Sequence, residues 1–119
     1  MTNFPEIAAL SWLQNERLDV VSTAEFTVVF SFDCGGVVQS QALVEITLRY
    51  GRIANYAPDA RTGDWLFQHI IGDEIPHLKR SPDVLQLAFK AGAIVRFDFS
   101  CSPYESGYIR HRNGHEDWF

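Results

Sequence analysis

The sequence lacks the features that mark a secreted or membrane-bound protein. It has two cysteines in 119 residues, too few for a disulfide framework, so we expect Cys34 and Cys101 to be reduced thiols. No window approaches the run of about 20 apolar residues that a membrane-spanning helix requires. The N-terminal segment also lacks the basic start of a signal peptide. These absences predict a soluble, cytoplasmic protein with no membrane partner.

Positive charge is also scarce. The 10 Lys and Arg residues are outnumbered by 15 Asp and Glu, which gives a net charge of -5. The basic residues are scattered, whereas a polyanion binds clustered positive charge. The composition therefore predicts no nucleic-acid partner. A negative chain instead suits a basic protein partner, because complementary charge raises the association rate.

Motifs of catalysis and cofactor binding are absent as well. No GxGxxG, HExxH or GxSxG pattern occurs, and Gly35-Gly36 lacks the lysine and the following helix of a phosphate loop. His69 and His77 are isolated, and neither cysteine has an activating neighbour in the sequence. We therefore predict no cofactor and no enzymatic activity. A minor enzyme that uses His and Cys in a pocket stays open as an alternative.

What the chain does contain is aromatic and β-branched residues in alternating patterns, which are typical of half-buried strands. The turn residues Asp33–Gly36 predict a hairpin between the strand that ends at Phe32 and a strand over Ala42–Leu48. Lys90–Gly92 predicts a second hairpin, which joins Leu85–Phe89 to Val95–Phe99. The predicted core consists of the apolar positions of these strands: Phe26, Val28, Phe30, Phe32, Val44, Ile46, Leu48, Leu87, Phe89, Val95 and Phe97.

Helical signals are short. Apolar spacing over Pro5–Leu13 predicts an N-terminal helix, and Thr62 or Asp64 is suited to cap a second one over Trp65–Gly72. A last alternating segment covers Tyr104–Arg110. Together these segments predict one α+β domain over residues 1–119. Its architecture would be an antiparallel sheet of about five or six strands in hairpins, with two short helices.

The C-terminal segment HRNGHEDWF combines histidines, carboxylates and rings. His111 and His115 would suit a metal ion if the segment were helical, but Gly114 favours a turn. We therefore expect no metal site here and a solvated, partly exposed tail. The two large rings of Trp118 and Phe119 must either fold back onto the domain or be covered by a partner.

Rings beside carboxylates also predict where a partner binds. Aromatic side chains anchor protein interfaces, and carboxylates pair with Arg or Lys of the other protein. For the tyrosines of this region, a place in the core or on an edge strand is an equal alternative. The candidate partner-binding residues are Asp73, Glu74, Tyr104, Glu105, Glu116, Asp117 and Trp118.

The order of strand, glycine turn, strand and short helix, followed by IIGDEI, LQLAFKAGAIVRF and SPYESGYI, resembles small bacterial immunity proteins. These are found beside polymorphic or contact-dependent growth inhibition toxins. The resemblance implies a cytosolic, non-enzymatic protein that neutralises a toxin, often a nuclease, by occluding its active site. The HRNGHEDWF ending departs from that group, and no site residue is carried over from it. A small-ligand or scaffold-binding domain without catalytic activity is the alternative.

Overall fold

The fold consists of two antiparallel β-sheets. The computed structural model of the chain describes residues 4–24, 26–42, 44–49, 51, 53–56, 64–99 and 107–119. These residues also include two 3₁₀ helices, Ile7–Leu13 and Asp64–His69. The strands are β1 (Leu18–Ala24), β2 (Thr27–Phe32), β3 (Val37–Ser40), β4 (Val44–Thr47), β5 (Ile53–Tyr56), β6 (His77–Ser81), β7 (Val84–Ala88), β8 (Ile94–Asp98), β9 (Gly107–Arg110) and β10 (Glu116–Trp118).

Within the described residues each sheet has five strands, in the orders β1-β2-β3-β9-β10 and β5-β4-β8-β7-β6. Alternate side chains of each sheet join one apolar core, because successive residues of a strand point to opposite faces. The two sheets meet where the ring of Phe30 on β2 packs edge-on against Phe97 on β8, at 5.0 Å between centroids. In the described part of the chain, no helix has both the length and the apolarity to cross a bilayer.

The predicted antiparallel sheet is confirmed, but the α+β class is not, because the fold is mainly β. The strands form two sheets rather than one sheet of five or six strands. Both expected helices are 3₁₀ helices of seven and six residues, and this tighter winding is common in short connecting segments.

One predicted hairpin is confirmed and the other is wrong. β7 and β8 pair across the turn at Lys90–Gly92, as expected. β2, however, pairs with β3 at Val37–Ser40, and not with the segment Ala42–Leu48. The chain crosses to the second sheet after Ser40, whose hydroxyl bonds both the N–H and the carbonyl of Ala42 at 3.0 Å. The predicted partner segment contains β4, which pairs with β5 and β8.

The predicted core is confirmed except at two positions. Phe26 is 54% exposed, because Ala24 pairs with Thr27 and places it in the β1–β2 turn, with φ at +71°. Leu48 lies beyond the end of β4 and is only partly buried against the core. The other nine predicted core side chains are buried.

Candidate functional site

The C-terminal segment is not a solvated tail but a β-hairpin. β10 pairs with β9, and β9 pairs with β3, so the chain end forms the last strand of the first sheet. The predicted turn is present: Gly114 has φ at +92°, and its N–H donates to the carbonyl of His111 at 2.9 Å. The hairpin therefore places each residue from Glu116 onward on a defined face of the sheet.

Phe119 anchors this hairpin in the core. Its side chain is 3% exposed, and its ring lies between those of Phe4 and Phe99, with centroids at 4.9 and 4.8 Å. The ring also covers Gly107 so closely that a Cβ at that position would overlap it. Glycine is therefore required at Gly107 because a ring occupies the space of its side chain.

Trp118, one residue earlier, lies on the opposite face and is 55% exposed. It is paired across the strands with Tyr108, and the two ring centroids are 4.3 Å apart. Glu116 is paired with Arg110 on the same face. Partial burial, and then the charge of Glu116, raise the pKa of the Tyr108 phenol above its ordinary value. We call Tyr108, Arg110, Glu116 and Trp118 the outer patch.

Asp117 points to the inner side of the same strand, where it meets two histidines. Its Oδ2 lies 2.7 Å from Nε2 of His111, and its Oδ1 lies 3.4 Å from Nε2 of His115. The other ring nitrogen of His111, Nδ1, accepts the indole N–H of Trp12 at 2.9 Å. Because an indole N–H can only donate, the neutral His111 ring carries its proton on Nε2 and donates it to Asp117. We call these four residues the inner cluster.

The inner cluster lines an open cleft of about 420 Å³ between the N-terminal 3₁₀ helix and the C-terminal hairpin. Trp12 lies over the backbone of Gly36, where a Cβ would overlap its ring. Among the residues that the structure describes, no group of three or more His, Cys, Asp or Glu side chains could hold a metal ion. The remaining cleft residues are Pro5, Ala8, Ala9, Ser11, Arg112 and Asn113.

The other predicted contact residues lie elsewhere. The carboxylate of Asp73 accepts the N–H groups of Glu74 at 2.9 Å and of Ala91 at 3.0 Å, so it ties its loop to the β7–β8 turn. Glu74 is exposed, and its carbonyl accepts the N–H of Lys90. Both residues therefore contact the second sheet's turn rather than the hairpin. Tyr104 and Glu105 fall outside the described residues.

Five residues of the site were not among the predicted contacts: Trp12, Tyr108, Arg110, His111 and His115. The position of Tyr108 could have been predicted from the sequence, because a hairpin turn at Gly114 sets a register in which Tyr108 faces Trp118. The position of Trp12 could not, since its partner His111 is 99 positions away in the sequence. Only the folded chain brings that pair together.

Comparisons with known proteins supply no relative. No protein-family model matches this chain, and neither the curated proteins nor the solved structures gave a match. The case for a function therefore comes from the residues of the chain itself.

Proposed function

We propose that this chain is an immunity protein, which binds a cognate bacterial toxin through the outer patch and occludes the toxin's active site. The supporting observation is the exposed ring of Trp118, at 55%, next to the fully anchored ring of Phe119. Leaving a large ring in water forgoes about 1.5 to 3 kcal/mol of burial free energy. A partner that covers the exposed part of Trp118 would recover a share of it.

The surroundings of Trp118 suit a protein contact. Trp and Tyr are the side chains that most often carry binding energy in interfaces, and their rings have few rotamers to lose. The Tyr108 ring holds one side of Trp118 in place. Hydrogen bonds between β9 and β10, together with the buried Phe119, fix the backbone beneath both rings. A rigid aromatic pair of this kind loses little entropy on binding.

Charge supports a basic partner. The chain carries a net charge of -5, and the exposed Glu116 lies beside the two rings on the same face. Nucleic-acid-cleaving and other polyanion-binding toxins need positive charge in the active-site cleft. In this proposal Glu116 pairs with a basic side chain of the toxin, while Asp117 supports the hairpin from its inner side.

Catalysis has less support than binding. A His–carboxylate pair does line the cleft, as an enzyme would require. His111, however, has both ring nitrogens engaged by Trp12 and Asp117, which leaves neither for a substrate. Ser11, which also lines the cleft, donates its hydroxyl to the carbonyl of Ala8. We therefore propose a protein without enzymatic activity.

A small-ligand site is the second candidate. The cleft has a volume of about 420 Å³, within the range of roughly 300 to 1,000 Å³ typical of small-molecule sites. A ligand there would contact the inner cluster and leave Trp118 exposed. The two candidates therefore make different predictions for the same variant.

The test uses the toxin candidate encoded next to this protein's gene. The purified toxin is assayed for activity, for a nuclease on plasmid DNA, with increasing amounts of wild-type chain or of Trp118→Ala. Phe26→Ala is the matched control, because Phe26 is an equally exposed ring, at 54%, in the β1–β2 turn. We expect wild type and Phe26→Ala to neutralise the toxin and Trp118→Ala to be much weaker. Equal neutralisation by all three would rule out the outer patch as the contact.

A further inference from the structure

A single nitrogen of His111 has two partners that it cannot serve at once. Nδ1 lies 2.9 Å from the indole nitrogen of Trp12 and 3.1 Å from the backbone carbonyl oxygen of Ala9. An unprotonated Nδ1 accepts the indole N–H and leaves the carbonyl without a donor from the ring. A protonated Nδ1 donates to the carbonyl, and it can no longer accept the indole N–H because both groups are then donors.

The opposite side of the ring has no such conflict. Nε2 carries a hydrogen in both the neutral ring of this arrangement and the imidazolium, and it donates to Asp117 Oδ2 at 2.7 Å. The carboxylate already makes this bond charge-assisted, and protonation of the ring would strengthen it, because donor and acceptor would then both be charged. The change of hydrogen-bond partner between the two states therefore occurs at Nδ1. The protonation state of Nδ1 determines whether the ring binds Trp12 or Ala9.

We propose that His111 is a pH-operated switch that controls how the N-terminal 3₁₀ helix docks on the C-terminal hairpin. With a neutral ring, His111 holds the indole of Trp12. With a protonated ring, it holds the carbonyl of Ala9 and the carboxylate of Asp117. The indole N–H then has no acceptor, and Trp12 is only 8% exposed. An unpaired buried donor is unfavourable, so the indole turns toward the adjacent open cleft, where water can accept it.

Among the residues that the structure describes, few titratable or charged groups surround the His111 ring. The helix Ile7–Leu13 contains no titratable residue. Asp117 and His115 face His111 from β10 and from the residue before it. In the turn between β9 and β10, Arg112 lies 4.0 Å from Glu16. The β2–β3 turn beneath Trp12 carries Cys34 and Asp33, and Asp33 pairs with Arg17 at 3.8 Å.

Histidine is the side chain that ordinarily changes its charge between pH 5 and 8. His115 also contacts Asp117. It is 66% exposed, however, and it makes no bond to Trp12 or Ala9. An experiment must therefore separate the two histidines.

The test is nitrogen-15 NMR of the full chain between pH 8 and pH 5. At pH 8 we expect the His111 ring to carry its proton on Nε2 and the Trp12 indole N–H to exchange slowly with water. As His111 takes up its second proton, the Trp12 indole signal should shift with the same midpoint. Its exchange should become about tenfold faster or more, since the hydrogen bond that protects it is lost. The indole of Trp118 is the internal reference and should not follow that midpoint.

Two variants assign the response. His115→Ala should retain the Trp12 shift, and His111→Gln should lose it. If His111→Gln does not fold, the titrations of the wild type and of His115→Ala still show whether the Trp12 shift depends on His115. A Trp12 indole signal that stays constant from pH 8 to pH 5 would overturn the proposal, and so would a proton on Nδ1 at pH 8. A response that disappears in His115→Ala would do the same.

Discussion

The two faces of β10 use similar residues for different purposes. Asp117 and Phe119 point inward, where the carboxylate bonds His111 and the ring fills a space against Gly107. Glu116 and Trp118 point outward, where a carboxylate and a ring are left in solvent. Neighbouring aromatic residues thus differ from 3% to 55% in exposure. The composition of the segment cannot reveal this division, because it depends on the strand's alternation alone.

The comparison also explains why the outer face can be a binding surface. An exposed ring on a mobile chain end would lose much of its binding energy to ordering. Here the inner residues of the same strand fix the backbone of β10 when the chain folds, so Trp118 is already ordered before a partner binds. The inner face should therefore control stability and the outer face should control binding, and variants of each face can test this division.

The largest expected effect on stability is that of Phe119→Ala. Removal of a buried ring packed between Phe4 and Phe99 should lower the free energy of unfolding by about 3 to 5 kcal/mol. Urea denaturation measures this difference. Trp118→Ala is the matched control and should change the same quantity by only about 0.5 kcal/mol. Equal losses in the two variants would show that both rings belong to the core.

A smaller loss is expected from Asp117→Ala. This change leaves the Nε2–H of the buried His111 without its acceptor, which should cost about 1 to 3 kcal/mol of unfolding free energy. Glu116→Ala, on the opposite face, is its control and should be close to neutral in the same denaturation experiment. A neutral Asp117→Ala would mean that the inner cluster does not stabilise the hairpin.

Glu116→Lys should change the rate of binding more than the stability of the fold. The reversal places a positive charge opposite Arg110 and removes attraction to a basic partner. We expect slower association by severalfold at low salt and a weaker dependence on ionic strength. Stopped-flow or surface-based kinetics against the toxin at two salt concentrations would measure both. An unchanged association rate would show that the charge of Glu116 does not contribute to binding by the outer patch.

The smallest effect is expected away from the hairpin, at Cys34. Burial raises the pKa of its thiol above the ordinary value, so at neutral pH the side chain is held as the unreactive thiol. Iodoacetamide should alkylate it more slowly in the native chain than in the urea-unfolded chain. Cys34→Ser should fold and bind as wild type does. Loss of neutralisation in that variant would show a role for the thiol.

Much of the sheet structure could be predicted from period-two patterns. β2, β7 and β8 alternate clearly. The predicted core contains every buried residue of β2 and β8, but in β7 it contains Leu87 and omits the buried Leu85. β3 was missed because Val37 and Val38 are both apolar, which hides the alternation, and both are buried. β6 was missed because it lies at a sheet edge with Lys79 exposed, so it has no continuous apolar face.

The candidate site could be predicted only in part. Glu116 and Trp118 were identified from composition, because rings and carboxylates at a chain end indicate a contact. Asp117 was grouped with them, although a strand must send it to the opposite face. The grouping follows from treating the ending as a tail rather than a strand. The contact of Trp12 with the inner cluster was out of reach, since the Trp12–His111 bond joins distant parts of the chain.

The most direct test of the central claim is the dissociation rate of the toxin complex with Trp118→Ala. If Trp118 is a buried anchor, its removal should cost about 2 kcal/mol or more of binding free energy, which is roughly thirtyfold in affinity. Most of that change should appear as faster dissociation. Phe26→Ala should leave the dissociation rate unchanged. Urea denaturation of Trp118→Ala should give an unfolding free energy close to that of wild type, which shows that the variant is folded. A dissociation rate equal to that of wild type would contradict the account.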